Sequence, residues 1–475
     1  MRMGSSDYFE DDEFQEILDE YERTVQAGQT VFMDADDLAD IADYYLMNDR
    51  SDEADEAIKR AIELEPDSPI VLSFLIHQTL NEKNYQAAEE YLSQITDHQH
   101  PEYIYNRAEI WIAQGMVDEA DKHLRACLHE VSQEEYSDYV YDVVKLYSDY
   151  NCNNKAMEWI VRMPPQDTDE LKELIGRTHV GMGQYDEAER IFNELIDKNP
   201  FQKSYWKDMV ELYYAKEDYA SALTSCEYAI ALAPEDRETL LYKANIHYQM
   251  ADYEQALEYY YRCQEKKEDE SILLNQGSCF VNMGHYTTAE RRLLKAEKIA
   301  PADSPFLPEI YQELAYIYGE LGELDKALNY IDKALPYGRD NEHKAEILII
   351  RGHILLVNHK VEEAMAAFQK GIVESGYSTY IQLRAIVSIY DSHYLDVAYT
   401  MFKQFFDLEG SDSNEGYSFM ALCCYDMEKY DEYLQYLQKA CQLNPKEAEK
   451  VLGRKFPKDL KPEDYYEYAK KNMKK

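Results

Sequence analysis

Glycine and proline are scarce in this 475-residue chain, at 17 and 14. A protein built of hairpins needs such residues at nearly every turn, so the shortage argues against a strand-rich fold. No window approaches 18 consecutive apolar residues, which argues against a helix that spans a bilayer. The stretch from Met1 to Arg23 has no apolar core and is rich in acids, so it reads as neither signal nor transit peptide. The expected location is therefore cytoplasmic. Positive charge is also in short supply: 49 Lys and Arg stand against 93 Asp and Glu, for a formal net charge of −44. Over most of its surface such a chain repels duplex nucleic acid and anionic lipid. The imbalance is uneven, with 19 acids and 3 bases in residues 1–56 but 6 acids and 10 bases in residues 446–475. The eight cysteines are dispersed and form no C-x-x-C, so they read as reduced thiols in apolar helix positions.

What is abundant is repetition. The segment "GMGQYDEAERIFNELIDKNP" (Gly181–Pro200) opens like a phosphate loop, yet Asp186 stands where the third glycine of a dinucleotide fingerprint belongs. The same pattern returns in "AKEDYASALTSCEYAIALAP" (Ala215–Pro234), "NMGHYTTAERRLLKAEKIAP" (Asn282–Pro301) and "DMEKYDEYLQYLQKACQLNP" (Asp426–Pro445). Its alanines Ala188, Ala222 and Ala256 are 34 residues apart, and Ala289 follows after 33. A fixed period in this range predicts a stacked array of one supersecondary unit. Within a period, Leu171, Leu174, Ile175 and Val180 mark a first helix with one buried face, and Tyr185–Asn199 a second that Pro200 stops. Gly181–Gly183 is then a helix–turn–helix corner. Small residues recur in the first helix (Ala42, Ala108, Gly176, Ala315, Gly352, Ala421) and in the second (Ala54, Ala120, Ala188, Ala289, Ala364), where axes cross closely.

This small–large alternation resembles the tetratricopeptide repeat, together with the turn aromatic (Tyr85, Tyr185, Tyr219, Tyr253, Tyr286, Tyr430) and the closing proline (Pro66, Pro200, Pro234, Pro301, Pro445). The resemblance covers nearly the whole chain in about a dozen units and implies an all-α, right-handed α-solenoid superhelix of stacked helix–turn–helix repeats. The expected layout is an acidic N-terminal segment with a capping helix over 1–34, an array over 35–445, and solvating helices with a basic tail over 446–475. The array is expected to be irregular at 69–100, 137–168 and 379–413, where the proline or turn glycine is missing.

No constellation for catalysis, metal or cofactor stands out. His98 and His100 sit in a linker, and "DADDLADIADYY" (Asp34–Tyr45) lacks the glycine and closing glutamate of a calcium loop. There is no G-x-S-x-G and no P-loop lysine. The chain therefore reads as a non-enzyme without cofactor or metal. In the resembled family, one face of the first helix lines a concave groove that holds ligands. The register places Tyr105, Tyr141, Tyr214, Tyr248, Tyr316, Tyr390 and Tyr425 there, as aromatic anchors or as rings packed on a neighbouring repeat. Lys207 occupies a slot used by relatives that clamp a C-terminal carboxylate, but Glu211 replaces the expected asparagine and Asn245 lacks companion bases. That clamp is expected to be absent. Positions 2, 5, 9, 12 and 13 of the first helices carry about 16 acids, including Asp43, Glu109, Glu173, Glu211, Glu320 and Asp391, against Lys145, Arg177 and Lys207. The expected function is a scaffold or adaptor that binds an extended protein segment, basic or aromatic-containing, without nucleic acid or membrane. The alternative is a ligand-sensing regulator or enzyme accessory that encloses a peptide or metabolite.

Overall fold

The computed structural model describes residues 9, 12–29, 31–47, 50–163, 168–266, 269–302, 304–338, 340–409, 414–457 and 460–472. Helices account for the ordered backbone, and no strand occurs among the described residues. The chain divides into two compact units, residues 1–246 and 247–475. In the first unit, α1 (Asp12–Gln26) precedes the pairs α2 (Ala35–Met47) and α3 (Ser51–Leu64), α4 (Pro69–Asn81) and α5 (Tyr85–Leu92), and α6 (Pro101–Ala113) and α7 (Val117–Leu128). Next come α8 (Tyr136–Asp149) and α9 (Asn153–Ile160), α10 (Asp169–Gly181) and α11 (Tyr185–Lys198), α12 (Lys203–Ala215) and α13 (Tyr219–Leu232), then α14 (Arg237–Gln249). The second unit has α15 (Tyr253–Lys266), α16 (Glu270–Asn282) and α17 (Tyr286–Ile299), α18 (Leu307–Glu320) and α19 (Leu324–Ala334), and α20 (Asn341–Val357) and α21 (Val361–Glu374). It ends with α22 (Thr379–Asp391) and α23 (Leu395–Glu409), α24 (Tyr417–Asp426) and α25 (Tyr430–Leu443), and the terminal α26 (Pro445–Leu452) and α27 (Tyr465–Asn472). Within each unit first helices pack on their own second helices, and several also on the next first helix, as in α10 against α11 and α12, or α20 against α21 and α22.

Local chemistry sets the helix ends. Ser68, Asn84, Thr168, Asp218, Asp269, Asp340 and Asn444 cap N-termini by accepting a backbone N–H, for example Ile272 N–H to Asp269 Oδ1 at 2.9 Å. Gly183 adopts φ +72° just past α10 and donates to the Val180 carbonyl at 2.9 Å, so the "GMG" stretch terminates a helix. The same left-handed turn persists where glycine is missing. Lys83, Asn151, Glu217, Ala251, His359, His393 and Glu428 take φ between 55° and 64°. Missing glycine therefore does not mean a missing turn. Of the three segments expected to be irregular, 69–100 and 137–168 have second helices of only eight residues, whereas 379–413 has one of fifteen.

The core follows a size rule across a spacing of sixteen residues. Gly176 lies against Phe192 and Gly352 against Phe368, so close that an added Cβ would stand 2.4 Å from either ring. At four repeats whose first helix carries alanine, the matching residue is aliphatic and shares its buried cluster: Ala42 with Ile58, Ala108 with Leu124, Ala315 with Ile331, Ala421 with Leu437. Gly277 likewise meets Leu293, while sixteen residues after Ala244 stands the buried Tyr260. Val210 in the small slot is matched by Cys226. Close packing at interior density demands this reciprocity, because two large side chains at one crossing would separate the axes. Trp159 fills the short α8–α9 repeat and donates from Nε1 to Asp121 Oδ1 at 2.9 Å. The N-terminal α1 covers α2 and α3 with Phe14, Leu18 and Tyr21; the rest of the expected 1–34 segment falls partly outside the described residues.

Candidate binding site

In the first unit, the ninth positions of the first helices carry mostly charged and polar residues. This row reads Asp43, His77, Glu109, Lys145, Arg177, Glu211 and Asn245. Stacking places a residue of one repeat beside one about 31 positions later. Arg177 Nε lies 2.7 Å from Asp208 and its Nη2 2.7 Å from Glu173, and the Tyr242 hydroxyl donates to Glu211 at 2.8 Å. His77 Nε2 stands 3.0 Å from Glu109, which also accepts from the Tyr150 hydroxyl at 3.0 Å. Burial pushes the Asp43 carboxyl up to about 6, with His77 opposing. Burial alone would depress His77, but Glu109 and Asp43 lift it to about 9. Asp208 is held well above the carboxylate range because burial outweighs Arg177. The face is thus a charge-paired ladder: the row holds three carboxyl groups, Asp43, Glu109 and Glu211, against His77, Lys145 and Arg177, and Glu173 and Asp208 beside Arg177 add two more.

The second unit contains a cleft of about 1000 Å³ between the first helices α18, α20, α22 and α24 and the terminal α26. Its volume falls at the top of the range of pockets that enclose small ligands. Ile350, Leu356, Val357, Leu383, Val387 and Phe419 give it apolar walls. At one end the Tyr316 ring stacks on His353, centroids 5.5 Å apart and planes 11° from parallel. His353 Nδ1 lies 3.0 Å from Ser388 Oγ and its Nε2 3.4 Å from Glu320. Asp391 opens into the same end, its carboxyl raised by burial against the pull of His353 and His393. Arg384 is engaged by the Tyr380 hydroxyl at 2.9 Å and by Glu346 at 3.5 Å. Glu447 of α26 accepts the N–H groups of Gly416 and Ser418 at 2.9 and 3.2 Å, which anchors that helix beside the cleft.

Family models described as tetratricopeptide repeat match residues 174–237, 207–271, 38–68 and 308–335. Each match falls on helix pairs of the spacing described above. The chain contains tetratricopeptide repeats. No curated protein matches it in sequence. Among solved structures it is similar to yeast Tom70, at 15% identity over 93% of this chain and 96% of that one, with a TM-score of 0.42. It is also similar to the human IFIT1 dimer with m7Gppp-AAAA, at 12% identity over 84% of this chain and 96% of that one, TM-score 0.44. A tetratricopeptide repeat protein from Parabacteroides merdae aligns with 52% of this chain and 98% of its own at 19% identity, TM-score 0.36. At these scores the likeness carries no inference about function.

The repeat register distributes the expected anchors unevenly. Tyr105 takes the second of its two expected places: it is 3% exposed, tilts on Tyr139 with centroids 5.6 Å apart, and packs in the core between repeats. Tyr141 is half-buried against the same cluster. Tyr214 meets Tyr219 and Tyr242 edge-on, Lys207 pairs with Glu238, and Asn245 is half-buried on α14. Tyr248 accepts from Asn282 at 3.2 Å, Tyr390 donates to Asp426 at 2.5 Å, and Tyr425, 38% exposed, lies under Lys455. Of the singled-out positions, Tyr316, Glu320 and Asp391 come together in the cleft. Sequence reasoning missed His353, Ser388, Arg384 and Lys450; their helix positions were available, but histidine and serine were not counted as groove chemistry. Among the described residues, no helix is long and apolar enough to cross a membrane and no group of His, Cys, Asp and Glu is arranged to hold a metal. Burial pushes the thiols of Cys226, Cys279 and Cys424 up to about 12, which keeps them protonated.

Proposed function

We propose that this tetratricopeptide-repeat protein is a non-catalytic cytoplasmic scaffold or adaptor whose first-helix face binds an extended segment of another protein, basic or aromatic-containing. The array is taken as 35–445, between an acidic N-terminal segment (1–34) and a basic tail (446–475). The observation that carries this reading is the polar ladder Asp43, His77, Glu109, Lys145, Arg177 and Glu211, on a surface the repeats present at fixed intervals. With Glu173 and Asp208 beside Arg177, it holds five carboxyl groups against three cations. Lysine and arginine side chains of a partner complement it, and their guanidinium planes stack on ring faces such as that of Tyr214. The net charge of −44 disfavours nucleic acid and anionic membrane as partners. The test is a peptide array read at low and high ionic strength with wild type, Tyr214→Ala and Tyr248→Ala. Basic peptides should bind and lose affinity with salt; preference for acidic peptides, or indifference to both substitutions, refutes the reading.

The cleft of about 1000 Å³ in the second unit favours a second reading, that of a ligand-sensing regulator or enzyme accessory enclosing a peptide or metabolite. A thermal-shift screen separates the two, since a metabolite that binds only the folded state raises the melting temperature.

A further inference from the structure

We infer that the cleft of the second unit is a specificity pocket for one lysine or arginine side chain of a partner segment, its cation seated between Glu320 and Asp391. The inference deepens the proposed scaffold function and rests on it.

Four features of the cleft point to this occupant. First, its two poles differ. Glu320 and Asp391 stand at the end formed by the last turns of α18 and α22. Arg384 lies seven residues earlier on α22, roughly 10 Å along the helix, and is occupied by Tyr380 and Glu346. Second, Glu447, a further carboxylate of the lining, is already used. Glu447 is satisfied by two backbone N–H groups, whereas Asp391 makes no hydrogen bond or ion pair among the described residues. Third, Asp391 is open to solvent at the cleft mouth, and the protein around it still raises its carboxyl by partial desolvation against the pull of His353 and His393, so an arriving cation is favoured there. Fourth, the approach is apolar. Ile350, Val357, Leu383 and Val387 line the path and suit the methylene stem of Lys or Arg, and the Tyr316–His353 stack supplies a flat wall beside the charged end. A carboxylate-bearing side chain would meet Glu320 and Asp391 with like charge. A purely apolar one would cover part of the solvent-exposed Asp391 carboxylate without pairing it.

The experiment uses the full chain and an array of short peptides, identical except for a central Lys, Arg, norleucine or citrulline, with varied apolar flanks. Lys or Arg peptides should bind roughly tenfold tighter than their norleucine or citrulline counterparts. Asp391→Asn and Glu320→Gln should each reduce that preference roughly five- to tenfold, while Glu363→Gln, exposed on the second helix α21 and outside both the cleft and the ladder, leaves it unchanged. Neither neutral variant removes a backbone cap or a core contact, and the peptide swap reads wild type alone. Equal binding of Lys and norleucine peptides, or preference retained in both cleft variants, overturns the pocket while leaving the scaffold reading intact. Failure of every peptide to bind wild type overturns both.

Discussion

Replacing Gly176 by alanine isolates the size rule at one helix crossing. The new Cβ would lie 2.4 Å from Phe192 Cε1 and 2.8 Å from Cζ, where ordinary contact is 3.4–4 Å, so about 1 Å of overlap must be relieved. Phe192 is fully buried in a cluster with Leu195, Tyr205 and Met209 and has no open side to turn toward. Overpacking of this kind costs about 1–3 kcal/mol. Alanine also favours the helix over glycine by about 1 kcal/mol, so the net expectation is a loss of roughly 0–2 kcal/mol. Phe192→Leu alone leaves a void and costs roughly 1–2 kcal/mol, at the low end of large-to-small core changes. The double variant recreates the Ala–Leu pairing seen at Ala108 and Leu124, so its cost should fall below the sum of the two by roughly 1 kcal/mol. All three tryptophans (Trp111, Trp159, Trp206) lie in the first unit, so fluorescence under urea reports its unfolding directly. Repeat arrays can depart from two-state behaviour, and hydrogen exchange in α10 and α11 supplies the local opening energy independently. Strictly additive effects, or a Gly176→Ala chain more stable than wild type by the full helix-propensity gain, would refute the packing rule.

At the left-handed turns, Glu217→Gly or Ala251→Gly should stabilise by roughly 0.5–1 kcal/mol, because a non-glycine residue there is strained; a lower urea midpoint would count against the strain. The first unit should weaken in base. Asp43, raised from its ordinary 3.8 to about 6, favours the fold only while protonated, and that contribution is gone above about pH 6. His77, raised from 6.5 to about 9, contributes fully below 6.5 and loses its contribution as pH climbs through 9. The signs agree, so tryptophan-monitored stability should fall by roughly 1–3 kcal/mol between about pH 6 and pH 9, and a rise over that interval would contradict it. Asp121→Ala removes the acceptor of the buried Trp159 N–H and the partner of Arg125, and should cost roughly 1–3 kcal/mol; an unchanged midpoint would show that this bond contributes nothing.

The repeating unit was legible in the chain alone because its determinants are local. Ala188, Ala222, Ala256 and Ala289 mark the crossing of two helices that follow one another directly, and the closing prolines and turn aromatics punctuate the same short stretch. The register also put Tyr316, Glu320 and Asp391 on the right face, since a helix face follows from the 3.6-residue period. What a repeat meets in its neighbour was not legible. Tyr105 shares its helix position with Lys207, yet it is buried because Tyr139 of the following repeat reaches it, while Lys207 remains at the surface beside Glu238. Phe368 is dictated by Gly352 within its own repeat, but His353 gains its role from Tyr316 one repeat earlier and Ser388 one repeat later. Those three residues are separated by 37 and 35 positions and meet only when three successive repeats stack. Helices and their pairs arise from hydrogen bonds and apolar periods inside a few dozen residues. The cleft arises from the angle at which successive pairs pack, a property of summed side-chain volumes across repeats that no single period contains.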